Sequence, residues 1–292
     1  MLGTVTTLRR YPVKSMLGED VADSPVTTAG LVGDRGLALI HQSTGRVVSA
    51  KNPRLWRAML TLTATVDADQ ESVKITFPDG KIAWSTDADV DGVLSEFLGQ
   101  PVTLTATPPA GAAMEHADPD TVNERGLTAD AETTLIEIGA GAPAGTFFNF
   151  APVHLITTAT MDRVSELHPD GVPVSLLRYR PNVVISTPDR HVFTENDWLG
   201  HELAIGDDLV VRVVARTPRC AVPTLPHGTT VDRDPEALRV VATHNRVPAR
   251  AGDTSPQPCL GVYGQVLRSG VISTGDAVSL RKSLTSQGLT AK

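Results

Sequence analysis

The sequence predicts a mixed, β-rich α+β fold of many short strands, with helices in the minority. Aromatic residues make up only 4% of the chain, Gly and Pro number 24 and 21, and the 41% apolar residues include much Val and Ala. Turn-formers at that density join brief strands and interrupt long helices.

From Ser72 to Phe77 the residues Val73, Ile75 and Phe77 fall on one face and Lys74 and Thr76 on the other, the two-residue period of a half-buried strand. Pro78-Asp79-Gly80 supplies a turn, and Ile82 and Trp84 complete a hairpin. The period then changes. Val90, Val93, Leu94, Phe97 and Leu98 recur at helical spacing, with Asp87 and Asp89 as candidate N-caps and Gly99 as the stop. Between Thr107 and Thr133 no apolar period persists, which predicts a linker or surface loop. A boundary is expected there, dividing a first domain over 1–115, whose first strands can pack with the second, from a second domain over 116–285.

Further on, Met161, Val164 and Leu167 predict a short helix that starts near Thr158 or Thr160 and ends before Pro169. Val183 to Ile185 and Leu209 to Ala215 are β-branched strand candidates. Asp234-Pro235 reads as an N-cap and first-turn proline ahead of Ala237, Leu238, Val241 and Ala242. Val262 to Leu280, broken by Gly264, Gly270 and Gly275, returns to strand and turn.

A chain of 292 residues has room for one large domain or two ordinary ones. With 26 basic against 33 acidic residues the net charge is −7, which disfavours nucleic acid and anionic membranes as partners. No apolar run is long enough for a membrane span, and Met1 to Lys14 lacks a signal-peptide core, so a cytoplasmic protein is expected. Cys220 and Cys259 form neither a zinc nor an iron–sulfur pattern, and no disulfide is expected in a reducing compartment. Any electron would come from outside the chain.

Four segments carry candidate chemistry. Tyr11-Pro12-Val13-Lys14-Ser15 sets a cation and a hydroxyl beside a proline-fixed turn, a composition suited to an anion, although a lone lysine is more often solvated. Gly33-Asp34-Arg35-Gly36 lets backbone approach a ligand closely while Arg35 offers a planar fork of donors, or else forms a charged turn. Arg178-Tyr179-Arg180-Pro181-Asn182 places two guanidiniums and an amide at a strand entrance. In Arg216-Thr217-Pro218-Arg219-Cys220 two arginines lie within four residues of a thiol and favour thiolate, open to covalent catalysis, persulfide transfer or binding of a soft metal. The ordinary alternative is a small buried hydrophobe. Cys259 lies in an apolar setting without nearby cations and reads as packing, while His154, more often a satisfied buried histidine than a ligand in such a segment, stays unassigned.

In order along the chain, YPVKS at 11–15, GDR at 33–35, APVHLIT at 151–157, RYRPN at 178–182, ENDW at 195–198, RTPRC at 216–220, GVYGQV at 261–266 and GDAV at 275–278 resemble the MOSC (molybdenum cofactor sulfurase C-terminal) family with its N-terminal β-barrel extension, above all its amidoxime-reducing branch. The resemblance implies molybdenum-molybdopterin as cofactor, with Cys220 as catalytic residue and molybdenum ligand. It assigns Lys14, Ser15 and Arg35 to the pterin and its phosphate, and Thr157, Arg180, Asn182, Arg219 and Tyr263 to further cofactor contacts. The implied activity is reduction of a small N-oxygenated substrate, fed by a separate flavin reductase, ferredoxin-like or cytochrome b5-like donor. The alternative is a sulfur carrier with a persulfide on Cys220, or a pterin-binding module in cofactor or cluster maturation. Pyridoxal-phosphate binding attaches to the family only as a domain-level term, and no such domain is expected in this chain. The run Ala221 to Gly228 departs from the DPDTG-like run that usually follows the cysteine.

Overall fold

The computed structural model describes residues 1–281 apart from Ala68, Gln70, Asp189 and Arg190, so the stretch 282–285 of the expected second domain lies outside the described residues. Seven strands of the main sheet close into a ring, in the order Val153–Thr157, Val183–Ser186, Gly3–Arg10, Ala277–Arg281, Glu202–Ile205, Leu209–Pro218 and Gln257–Arg268, the last pairing again with the first. Closure removes the free edges that a strand-rich chain must otherwise protect. Val153–Thr157 and Val183–Ser186 run parallel, a pairing that needs a crossover, and the helix Thr158–Glu166 supplies it.

Alternate side chains point into the ring. Val5, Leu8, Leu155, Ile185, Leu203, Val211, Val213 and Val262 pack there around Trp198, none more than 1% exposed. Each such aliphatic burial stabilises by about 1.5–3 kcal/mol. At Gly264 a Cβ would lie 2.3 Å from Val211 Cγ1, so only glycine allows the two longest strands to approach this closely. Thr158–Glu166 and Glu236–His244 cover the outside, burying Met161, Val164, Val240 and Val241 against Ile156, Val184 and Leu260.

A second core gathers Leu39, Trp56, Met59, Leu62, Ile75 and Leu94. Around it stand the sheet Thr63–Val66, Val73–Thr76 and Ile82–Trp84, the pair Ala38–His41 and Val102–Thr105, and the helix Val90–Leu98. Gly99 ends that helix at φ 66, as its sequence position predicts. Its start differs from expectation. Asp89 makes no side-chain cap, and the Asp87 carboxylate instead accepts a hydrogen bond from Trp84 N at 2.7 Å.

The expected loop over 107–133 is structured. It contains the strand Ala113–Ala117, paired with Thr133–Glu137, and the helix Pro119–Arg125. Asp118 caps that helix by accepting from Thr121 N at 2.8 Å, with Pro119 in the first turn. The strand leaves no alternating signal because it buries Met114 and Ala117, three positions apart.

Candidate functional site

Beyond Arg10 the first ring strand leaves the barrel and crosses to the second core. Tyr11 anchors the crossing, its N donating to Asp34 Oδ1 at 2.6 Å and its hydroxyl to Pro181 O at 3.2 Å. Lys14 and Ser15 follow at the joint, and Ser15 Oγ accepts from Ala50 N at 3.1 Å, which fixes the loop carrying Lys51. Ser15, Arg35 and Arg180 all hold positive φ, at 67°, 48° and 55°; Phe193 is the fourth such non-glycine among the described residues. Backbone held this way costs about 1–3 kcal/mol per residue and gathers where a site needs it.

Those three residues line one cavity with Lys14, Lys51, Arg219, Cys220 and Tyr263. Five basic side chains therefore face a space whose lining, among the described residues, holds no carboxylate. Asp34 is 5% exposed and sits behind Arg35, accepting from its Nη1 at 2.5 Å. Lys14, 3% exposed, donates from Nζ to Phe147 O at 2.7 Å and Asn149 Oδ1 at 2.5 Å, leaving a third proton unassigned. Burial, then Lys51, Arg35 and Arg180, holds that amine well below its usual range. Lys51 is lowered too, by burial and Arg219, while Cys220 opposes the shift.

Arg35 and Arg180 stack on one ring, with guanidinium carbons 5.0 and 4.2 Å from the Tyr11 centroid. Burial pushes Arg180 down to about 10. Among the described residues its Nη1 is buried without a partner, as is Arg219 Nε, although Arg219 Nη2 donates to Tyr179 O at 3.0 Å. Buried donors left open each cost about 1–3 kcal/mol, more when charged, so they mark a place for an acceptor.

Cys220 follows the strand Leu209–Pro218, whose register shifts between Arg216 and Pro218. The irregularity ends pairing and turns the chain into the joint. The thiol is 9% exposed and belongs to both this cavity and a larger cleft of about 530 Å³. Cys259 is fully buried, unpaired with Cys220, and pushed up to about 11 by burial. The expectation that no cation approaches Cys259 is corrected across the sheet, where Arg219, Arg216 and Arg246 oppose its shift.

Two expected contacts stand behind the cavity. Thr157 is fully buried, caps Thr158–Glu166 by accepting from Thr160 N at 3.1 Å, and donates to Glu195 Oε2 at 3.1 Å, so its hydroxyl is used away from the lining. Asn182 Oδ1 accepts from His154 N at 3.1 Å and Arg35 Nη1 at 3.4 Å, and its Nδ2 donates to Arg9 O at 3.1 Å. It orients Arg35. Lys51 and Asn149 also line the cavity although they occupy no sequence motif, and His154, unassigned from sequence, joins them as a buried histidine. His154 lies between Arg180 O at 3.3 Å and Leu260 O at 3.4 Å, and burial lowers it to about 3, a neutral ring. Gly261, at φ +74, is required beside it, since a Cβ would sit 2.6 Å from His154 Nε2.

The MOSC domain profile matches residues 143–279, and the MOSC N-terminal beta barrel domain profile matches 2–107. This chain belongs to the MOSC family. It is 25% identical over 309 residues to mitochondrial amidoxime-reducing component 1 of Homo sapiens, across 96% of this chain and 83% of that protein. The Mus musculus protein is 22% identical over 291 residues, at 96% and 82% coverage. Component 2 of Rattus norvegicus is 30% identical over 130 residues, covering 44% of this chain and 36% of its own. Among solved structures, the YUAD protein from Bacillus subtilis aligns over 96% of both chains at 11% identity and a TM-score of 0.43. At family level the MOSC role is molybdenum-cofactor-related, oxidoreductase or sulfurase-like. The hairpin of Ala113–Ala117 with Thr133–Glu137 lies between the two matched segments of this MOSC chain. Among the described residues no helix is long and apolar enough to cross a membrane.

Proposed function

We propose that this MOSC protein binds molybdenum-molybdopterin, with Cys220 as the protein ligand to the metal, and reduces small N-oxygenated compounds. The observation that carries the reading is a set of uncompensated donors around one thiol. Among the described residues Lys14, Lys51, Arg180 and Arg219 have no carboxylate within 4.0 Å, in a chain whose acidic residues outnumber its basic ones, 33 to 26. A doubly charged phosphate on a flat pterin meets those donors as a charge-assisted acceptor.

Cys220 is a soft ligand. Among the described residues no cluster of three or more His, Cys, Asp or Glu surrounds it, so the pterin's own sulfurs fit as the remaining donors. When bound, the group supplies the two electrons that cleavage of an N–O bond consumes. Conversion of R–NHOH to R–NH2 and water also takes two protons. Lys14, Ser15, Arg35 and Arg180 would hold the phosphate and pterin, with Arg219 and Tyr263 beside Cys220. Asn182 orients Arg35 from behind, and Thr157 braces the strand that carries His154. Burial holds the Tyr263 hydroxyl protonated above its usual range, so that O–H donates. The electrons would return from a separate flavin, ferredoxin-like or cytochrome b5-like partner.

A sulfur-carrier reading draws on the same feature, since cations beside Cys220 favour a persulfide as well as a metal-bound thiolate. Metal analysis of protein made in a cofactor-competent host separates the two. The reductase reading expects stoichiometric molybdenum, and reduction of hydroxylamines and amidoximes that is lost in Cys220→Ala and retained in Cys259→Ala. Metal-free protein bearing cyanide-labile sulfur on Cys220 would replace it with the carrier reading. Equal loss in both cysteine variants would refute the assignment of Cys220.

A further inference from the structure

The larger cleft is polarised across its width. One wall comes from the hairpin of Ala113–Ala117 with Thr133–Glu137 and its connecting helix, and presents Met114 and Ile136 with Asp120 and Glu137. The other wall comes from the barrel and presents Arg216, Arg246 and Arg250. Among the described residues Arg216 and Arg246 have no carboxylate within 4.0 Å, and Arg250 has only Asp253 of its own loop, at 3.6 Å. Among the described residues their side chains donate to backbone carbonyls: Arg216 to Asn196 O at 3.1 Å and Pro248 O at 2.8 Å, and Arg246 to Pro256 O at 3.2 Å. Each guanidinium carries five N–H donors, so most of them are open.

The position of this wall relative to the thiol is set by rings. Arg250 Cζ lies 5.8 Å over the Phe150 centroid, and Phe150 is 5.7 Å from Tyr263. Tyr263 in turn lines both the cleft and the cation-rich cavity beside Cys220. A molecule reaching the thiol therefore has an apolar and aromatic stretch beneath it and guanidiniums at its far end. The cleft volume of about 530 Å³ suits one ring with a short substituent.

We infer that the cleft selects N-oxygenated compounds bearing a carboxylate at the end remote from the N–O group, bound by Arg246 and Arg250 with Arg216 beside them. This rests on the reductase reading. Asp120 and Glu137 on the facing wall repel the anion and orient it toward the arginines, and Asp253 beside Arg250 disfavours a dianion more than a monoanion.

The test titrates holo-protein calorimetrically with benzamidoxime and 4-carboxybenzamidoxime, and measures turnover of both in parallel. The carboxylated compound should bind roughly tenfold tighter, the lower end for charge-assisted hydrogen bonds at an exposed wall. In Arg246→Gln/Arg250→Gln, where both side chains are exposed, that ratio should fall to about one. Equal or weaker binding of the carboxylated compound, or a ratio unchanged in the double variant, overturns the inference. Tighter, arginine-dependent binding without turnover of either compound supports this wall's preference while removing the reductase reading.

Discussion

Replacing Lys14 with methionine keeps most of the side chain's volume and removes its charge. Lys14 Nζ is nearly enclosed, held by two acceptors, and crowded by Lys51, Arg35 and Arg180. Without an anion, that crowding opposes protonation; with one, the ammonium is restored and gains a charge-assisted bond worth about 1.5–3 kcal/mol. Lys14→Met should therefore purify folded but with reduced molybdenum, at a stability cost of about 1–3 kcal/mol for each acceptor it leaves open. Full metal occupancy in this variant would exclude Lys14 from the clamp. Lys14, Arg35, Arg180, Arg219 and Cys220 were legible in sequence because each sits in a short motif of mixed charge, glycine or proline. Lys51, in Ala50-Lys51-Asn52-Pro53, was not, since its place at the cavity depends on Ser15 holding Ala50 N.

At the scale of an element, the run after Cys220 is shaped by a residue far from it in sequence. Arg178, 7% exposed, donates to Pro223 O at 3.1 Å, Leu225 O at 3.3 Å and Asp232 O at 2.8 Å, and lies 3.6 Å from Asp234 Oδ2. Asp234 Oδ1 also caps the helix Glu236–His244, accepting from Glu236 N at 3.0 Å. One guanidinium thus ties the Cys220 loop to the start of that helix. Arg178→Ala leaves two buried carbonyls and one part-buried carbonyl short of a donor, at about 1–3 kcal/mol for each buried one in the limit. Alkylation of Cys220 by iodoacetamide should accelerate in this variant under native conditions, while Cys259 stays protected. Equal acceleration at both thiols would mean global opening instead. Elements with a clean period, such as Val90–Leu98, were legible from spacing alone. Ala113–Ala117 was not, because in this two-stranded cleft wall it buries Met114 and Ala117 without regular alternation.

At the scale of the molecule, the ring is closed by pairings such as Leu8 with Val183, which leave no local pattern to read, whereas strand richness follows from composition alone. Burying a cation-lined joint between that ring and the second core has a consequence for acid stability. His154 and His227 are both lowered to about 3 by burial, and cationic neighbours, chiefly Arg219 for one and Arg180 for the other, add to it. Unfolded, each binds a proton below about 6.5; folded, neither does until about 3, so the unfolded state holds more protons across that window. Stability should then fall as pH drops below about 6.5, by about 1.4 kcal/mol per pH unit for each ring at most. Buried Asp34 and Glu195, both raised by burial, act with the opposite sign and offset part of the total slope. A difference measurement isolates the histidine. The gap in urea stability between wild type and His227→Gln should shift against wild type by about 2 kcal/mol between about pH 7 and about pH 5. A gap that does not move with pH would mean that His227 titrates in the folded protein as it does in the unfolded chain, and that the joint does not exclude charge at that ring.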